Sequence, residues 1–299
     1  MTKTHPPLRN GLNAVSMRLP AGSFATVAEY LVSRFGETAI EAVNSENVLD
    51  ERLAPIDLDT QYRANATIWI YREPAEEVAV PFDIEIVHRD DDLVVIDKPH
   101  FLATMPRGRH VTESVLVRLR RLPGLEACSP AHRLDRLTAG VLICTVRPEV
   151  RGAYHELFAS GQAEKTYEAI APVSDAEFPL TCTSRIVKER GVLQAREITG
   201  APNSETVVSK VETRGDFARY ECRPITGKTH QIRVHLNALG IPIVGDPLYP
   251  EVLPDAAPDF TNPLRLLAKS IAFRDPITSV LREFRSHRTL DWPDQAKSK

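Results

Sequence analysis

The order of its periodic segments constrains this chain more than any other feature. From residue 84 onward, strand-like runs follow one another instead of alternating with helices. Ile84-Glu85-Ile86-Val87-His88 and Leu93-Val94-Val95-Ile96-Asp97 flank the turn Asp90-Asp91-Asp92. They read as a hairpin, and Lys98-Pro99 ends its second strand because proline cannot continue the ladder. Further strands are expected over 141–145, 166–171, 182–187, 206–211 and 218–223. Three helices interrupt them. Thr112 caps one that runs to about Leu122 and stops at Pro123-Gly124, Pro148 and Gly161 bracket a second, and residues 229–239 form a third, closed by Gly240. Many strands, few helices and a non-alternating order predict an α+β domain on a mixed, mainly antiparallel β-sheet.

A length of 299 residues accommodates one large domain with a small appendage. Residues 1–20 are polar, turn-rich and without period, and read as a flexible arm. Residues 21–77 form a small acidic unit, with an amphipathic helix at 26–35 capped by Gly36, a strand at 67–71 and a linker at 73–77. Residues 78–299 form the large domain. No apolar run resembles a signal peptide or approaches the roughly 20 residues of a bilayer span, so a cytoplasmic protein is expected, with no membrane association. Cys128, Cys144, Cys182 and Cys222 are too scattered for a zinc or redox motif and read as reduced, mostly core residues.

The net charge of −3 conceals an asymmetry. Residues 29–98 carry 17 acidic against 6 basic side chains, whereas 107–136 carry 7 arginines against 3 acids and 264–299 carry 8 basic against 4 acidic residues. A polyanion is attracted to the later part of the chain and repelled by the first third.

Two motifs that suggest chemistry fail on spacing. Thr226-Gly227-Lys228-Thr229 has the setting of a phosphate loop, but Cys222 stands where its first glycine is required. His230 and His235 are five apart on a helix, whereas two ligands of one metal need three or four, so no metal is expected. The segment His132-Arg133-Leu134-Asp135-Arg136-Leu137-Thr138-Ala139-Gly140 differs, because it surrounds one carboxylate with three cationic or potentially cationic residues. Such neighbours favour the charged form, which suits a nucleophile or a charge stabiliser. By local composition alone it also reads as an ion-pair cluster that fixes a turn.

This nonapeptide resembles the HRLD-x-x-TSG signature of the RluA family of pseudouridine synthases, and three other segments agree in order and spacing. These are the hairpin motif of residues 86–99, Lys165-Thr166-Tyr167, and residues 223–235 followed by Gly245-Asp246-Pro247-Leu248-Tyr249. The resemblance covers about residues 83 to 285. Ala139 stands for the usual Ser and Lys228 for a common Arg, and residues 101–106 depart from the usual stretch after Lys-Pro.

The resemblance implies an isomerase that turns specific uridines of structured RNA into pseudouridine without a cofactor. It expects rRNA ahead of tRNA as substrate, a monomer and no obligate protein partner. Asp135 becomes the essential carboxylate, nucleophile or base, with Arg233 as its partner, and Tyr167 stacks on the uracil and moves a proton during its rearrangement. Arg133 fills the space of the flipped nucleotide, Ile232 lines the base pocket, and His132, Thr138, Lys228 and His230 complete the substrate site. Arg107, Arg109, Arg118, Arg120 and Arg121 are candidates to grip RNA backbone. The small N-terminal unit is weakly similar to an S4-type RNA-binding domain, although it lacks that module's basic helix. The alternative is an RNA-binding or ribosome-assembly factor with little turnover.

Overall fold

The computed structural model describes residues 5–71, 76–254 and 259–293. Among these residues no helix is long and apolar enough to cross a membrane. The chain divides into two compact units, Met1–Val78 with Val117–Glu126, and Ala79–Leu116 with Ala127–Lys299. Arg118, Arg120 and Arg121 therefore group with the first unit.

In the first unit β1 (Val15–Arg18), β2 (Val48–Leu49) and β3 (Thr67–Ile70) form an antiparallel sheet in the order β1-β3-β2. Helix α1 (Val27–Phe35) begins where Thr26 accepts the Glu29 N–H at 3.1 Å, and ends at Gly36, whose φ of 80° only glycine adopts cheaply. Val27, Tyr30 and Leu31 bury its apolar stripe against Ile68 and Val43. The arm expected over 1–20 is corrected here, because Val15–Arg18 pairs in register with Ile70–Thr67. Four residues are too few to show alternation without their partner. Helix α2 (Thr38–Asn44) was not predicted; it buries only Ala39 and Val43. Of the expected linker at 73–77, residues 73–75 lie outside the described residues.

The second unit is built on an eleven-stranded sheet. Its strands are β4 (Glu85–Arg89), β5 (Leu93–Lys98), β6 (Ser129–Pro130), β7 (Ala139–Thr145), β8 (Glu164–Pro172), β9 (Leu180–Val187), β10 (Arg196–Ile198), β11 (Ser204–Arg214), β12 (Phe217–Pro224), β13 (Leu266–Arg274) and β14 (Leu281–Arg285). The main path runs β10-β9-β11-β12-β8-β13-β7-β5-β4, with β14 on β13 and β6 on β7. Every pairing is antiparallel except β13 with β7. The mixed, mainly antiparallel α+β architecture is thus present. Strands β13 and β14 were not predicted from the sequence.

Helix α3 (Val115–Arg120) is shorter than the expected 112–122, and its residues from Val117 on group with the first unit. Two helices pack on the sheet. Helix α4 (Arg151–Ala159) packs Tyr154 and Leu157 on Leu93, Val95, Val141, Ile143 and Phe273. Helix α5 (Gln231–Ala238) packs Ile232 and Leu236 on Ala169, Val208, Tyr220 and Cys222. It starts two residues later than the sequence suggests, because His230 takes a left-handed φ of 59°. The core under α4 spans the β7/β13 seam through Val141, Ile143, Ile271 and Phe273. There Leu267 and Ala268 face Ala139 and Gly140, so the Asp135 loop enters the sheet where its two halves join.

Candidate active site

The loop that carries Asp135 is fixed through its backbone by residues of β5 and the turn after it. Lys98 is fully buried, and its Nζ donates to the carbonyls of Pro99 (3.0 Å), Leu102 (2.8 Å) and Arg136 (3.1 Å). His100 Nδ1 meets the Leu137 carbonyl at 2.6 Å. Thr104 Oγ1 donates to the Leu134 carbonyl at 2.8 Å and accepts the Leu134 N–H at 3.2 Å. The residues on both sides of Asp135 are thereby held, and its side chain is left to face a cavity. Burial pulls the Lys98 ammonium down to about 7, against the attraction of Asp135.

That cavity has a volume of about 650 Å³, and Asp135 is the only carboxylate among its lining residues. Arg133, Lys165, Lys228 and Arg233 line it too, so its walls favour an anion. Arg233, 2% exposed, makes a two-point pair with Asp246, Nε to Oδ2 at 2.8 Å and Nη2 to Oδ1 at 2.6 Å. Its remaining Nη1 reaches Asp135 Oδ2 at 3.4 Å. Asp246 also accepts the N–H groups of Leu248 (2.9 Å) and Tyr249 (3.3 Å). Arg233 is therefore aimed at Asp135 by a second carboxylate outside the cavity, and a planar fork can serve both.

The other expected site residues fall around the same cavity with different degrees of freedom. Tyr167 lies on β8 between Cys222 and Ala268, partly buried; burial first, and the charge of Asp135 second, push its hydroxyl above the usual tyrosine range. Ile232 lines the cavity while belonging to the core beneath α5. Thr138 is buried, and its N–H donates to the Asp135 carbonyl at 3.1 Å. His132 lies at 4.4 Å from the Phe158 ring and accepts the Ile143 N–H on Nε2 at 3.1 Å. Burial brings it down to about 3, so it faces the cavity as a neutral ring. Arg133 and Lys228 are exposed. Gln231 fixes the turn before α5, its Oε1 accepting from Thr226 Oγ1 (2.7 Å) and the Lys228 N–H (3.0 Å). His230 and His235 point to different partners. His235 is buried among Thr206, Ser184 and Ser204, whereas His230 reaches Tyr249 and Asp135. Arg107, Arg109, Arg118, Arg120 and Arg121 are absent from the cavity lining.

Ala139 is fully buried in an apolar cluster with Ile170, Leu267 and Leu290, a setting in which a serine hydroxyl would need its own partner. Sequence reasoning assigned no site role to Lys98, His100, Thr104, Asp246 or Tyr249. Lys98-Pro99 and Gly245-Asp246-Pro247-Leu248-Tyr249 were visible as motifs, but their partners 38 and 13 residues away were not.

Residues 92–238 match the RNA pseudouridylate synthase domain family. The dual-specificity RNA pseudouridine synthase RluA of Pasteurella multocida is 32% identical over 211 residues, which cover 65% of this chain and 89% of that protein. The chain belongs to the RluA family of RNA pseudouridine synthases. Human pseudouridylate synthase RPUSD2 is 36% identical over 189 residues, 61% of this chain. The mitochondrial tRNA pseudouridine(32) synthase of Saccharomyces cerevisiae is 30% identical over 171 residues. The matched segments span only 33% and 37% of those two relatives. The solved structure of human RNA pseudouridylate synthase domain containing 1 superposes with a TM-score of 0.55 at 23% identity, over 71% of this chain and 86% of that one. The synthase fold thus accounts for the large sheet.

Proposed function

We propose that this protein isomerises uridine to pseudouridine in RNA, with Asp135 acting on the ribose. The observation that carries this reading is the single carboxylate in a cationic cavity, 3.4 Å from an arginine that Asp246 holds in place. The reaction breaks the N1–C1′ bond, turns the uracil and joins C5 to C1′; C5 loses a proton and N1 gains one. Atoms and electrons balance within the nucleotide. Asp135 either attacks C1′ or takes a proton from C2′, and both routes need its charged form beside a fixed cation. A glycosidase would instead set two carboxylates about the scissile bond.

Tyr167 stacks on the uracil as a neutral phenol, a contact worth about 1–3 kcal/mol per base. Arg133, exposed beside the cavity, takes the place of the flipped nucleotide and offsets the few kcal/mol of unstacking. Lys165 and Lys228 attract the phosphates. The substrate class is structured RNA, rRNA or tRNA, and mapping pseudouridines in cells with and without the protein identifies the species.

Release of tritium from RNA carrying C5-tritiated uridine tests the assignment. Wild type should release it and Asp135→Asn should not. Undiminished release by the variant would overturn the role given to Asp135, and absence of release by wild type would favour an RNA-binding assembly factor.

A further inference from the structure

The isomerisation proposed above requires a base to remove the C5 proton after C5 has joined C1′. Tyr167 is poorly suited, because burial and Asp135 both oppose its phenolate. A better acceptor, His230, stands beside Asp135.

His230 ends the turn before α5 in a left-handed conformation that is strained for a non-glycine residue and persists only where its surroundings fix it. Its Nδ1 lies 3.0 Å from the Tyr249 hydroxyl. That hydroxyl also accepts the Ala195 N–H at 2.8 Å and donates to the Ala195 carbonyl at 2.8 Å. A phenol has one proton. With Ala195 only 1% exposed, its carbonyl would be left without this donor if the proton turned to the histidine. The imidazole must then donate from Nδ1, and in the neutral ring Nε2 carries the free lone pair. Nε2 stands 3.8 Å from Asp135 Oδ2, on the cavity wall. A proton taken up at Nε2 would stand beside the Asp135 carboxylate.

We propose that His230 Nε2 is the base that takes the C5 proton of the rearranged uracil. Whichever route Asp135 follows, its carboxylate meets C1′ or the hydrogen on C2′, and the new bond brings C5 to C1′. The C5–H bond therefore comes within reach of a base beside Oδ2. As that bond breaks, its electron pair forms the C5–C6 double bond and the C6–N1 π pair moves onto N1, which takes a proton from water. The imidazolium, stabilised by Asp135, returns its proton to water. The other charged groups around the ring are Arg233, Asp246 and Lys188; burial is the largest influence and keeps the resting ring neutral.

The inference rests on the synthase reading, and the experiment separates the two. Turnover of RNA with protium or deuterium at uridine C5 is compared for wild type, His230→Gln and Tyr249→Phe, with folding checked by thermal melting. Glutamine keeps a polar side chain of similar reach but is not a base at neutral pH. His230→Gln should lose about 10²-fold or more in turnover at unchanged RNA affinity and acquire a primary deuterium effect, because loss of the C5 proton becomes limiting. Tyr249→Phe keeps the ring but frees its tautomer, and should show a smaller loss with the same isotope signature. If His230→Gln does not fold, the isotope effect in Tyr249→Phe decides. Turnover within about twofold of wild type, or a loss without a C5 isotope effect, overturns the inference. A wild-type protein that makes no pseudouridine overturns the synthase reading itself, and this inference with it.

Discussion

At the scale of single residues, the site depends on charges that are fixed rather than abundant. Arg233 is 2% exposed and serves two carboxylates, one inside the cavity and one outside. Removing one member of such a buried pair leaves the other uncompensated. Asp246→Ala should therefore destabilise the fold by about 3–5 kcal/mol in urea denaturation and also lower turnover, since Arg233 is no longer aimed. Asp246→Asn keeps the acceptor for the Leu248 N–H and should lose less stability. Equal losses in the two variants would show that the charge contributes little beyond hydrogen bonding.

At the scale of elements, the β7/β13 seam is the restrictive feature. Gly140 has a φ of 111°, and a Cβ there would come 2.2 Å from the Ala268 carbonyl oxygen. Backbone and side chain both forbid any other residue while the strands stay parallel and paired. Gly140→Ala should cost at least the roughly 1–3 kcal/mol of a strained backbone, and should distort the Asp135 loop that leads into β7. Gly152 provides the contrast: it lies within α4, and a Cβ would meet nothing within 4 Å. Gly152→Ala should stabilise the protein by roughly 0.5–1 kcal/mol, read from the same denaturation curves. A seam glycine that tolerates alanine as well as this one would contradict the pairing.

For the whole molecule, pH and salt are the informative variables. His100 and His132 are held by burial at about 4 and about 3, below the ordinary 6.5. As the pH falls below 6.5 the unfolded chain takes up protons that the folded chain refuses. Stability therefore declines on acidification and levels off near the folded-state values, with at most about 1.4 kcal/mol per pH unit from each histidine. Denaturation at pH 7 and pH 5 measures the decline, and His132→Gln should flatten it. Salt addresses the charge asymmetry. A chain of net −3 can hold RNA only if local cations act against the average. If Lys228 meets a phosphate, Lys228→Ala should reduce the slope of log affinity against log salt by about 0.7 to 0.9.

The sequence by itself determined the class of fold, the hairpin of β4 and β5, helices α1, α4 and α5, and the loop around Asp135, because each is written in contiguous residues of fixed period or spacing. It left out β1 and β13, which become strands through partners far along the chain, and β14, which pairs only on β13. It joined Arg233 to Asp135 only through resemblance, and held no hint that Asp246 aims the arginine or that Lys98 fixes the backbone of the aspartate's loop. His230 shows the division most clearly. Its presence is a matter of sequence, but which of its nitrogens is free depends on Tyr249 and Ala195. Only the packed fold brings these three together, and one hydroxyl proton then has a single place to go.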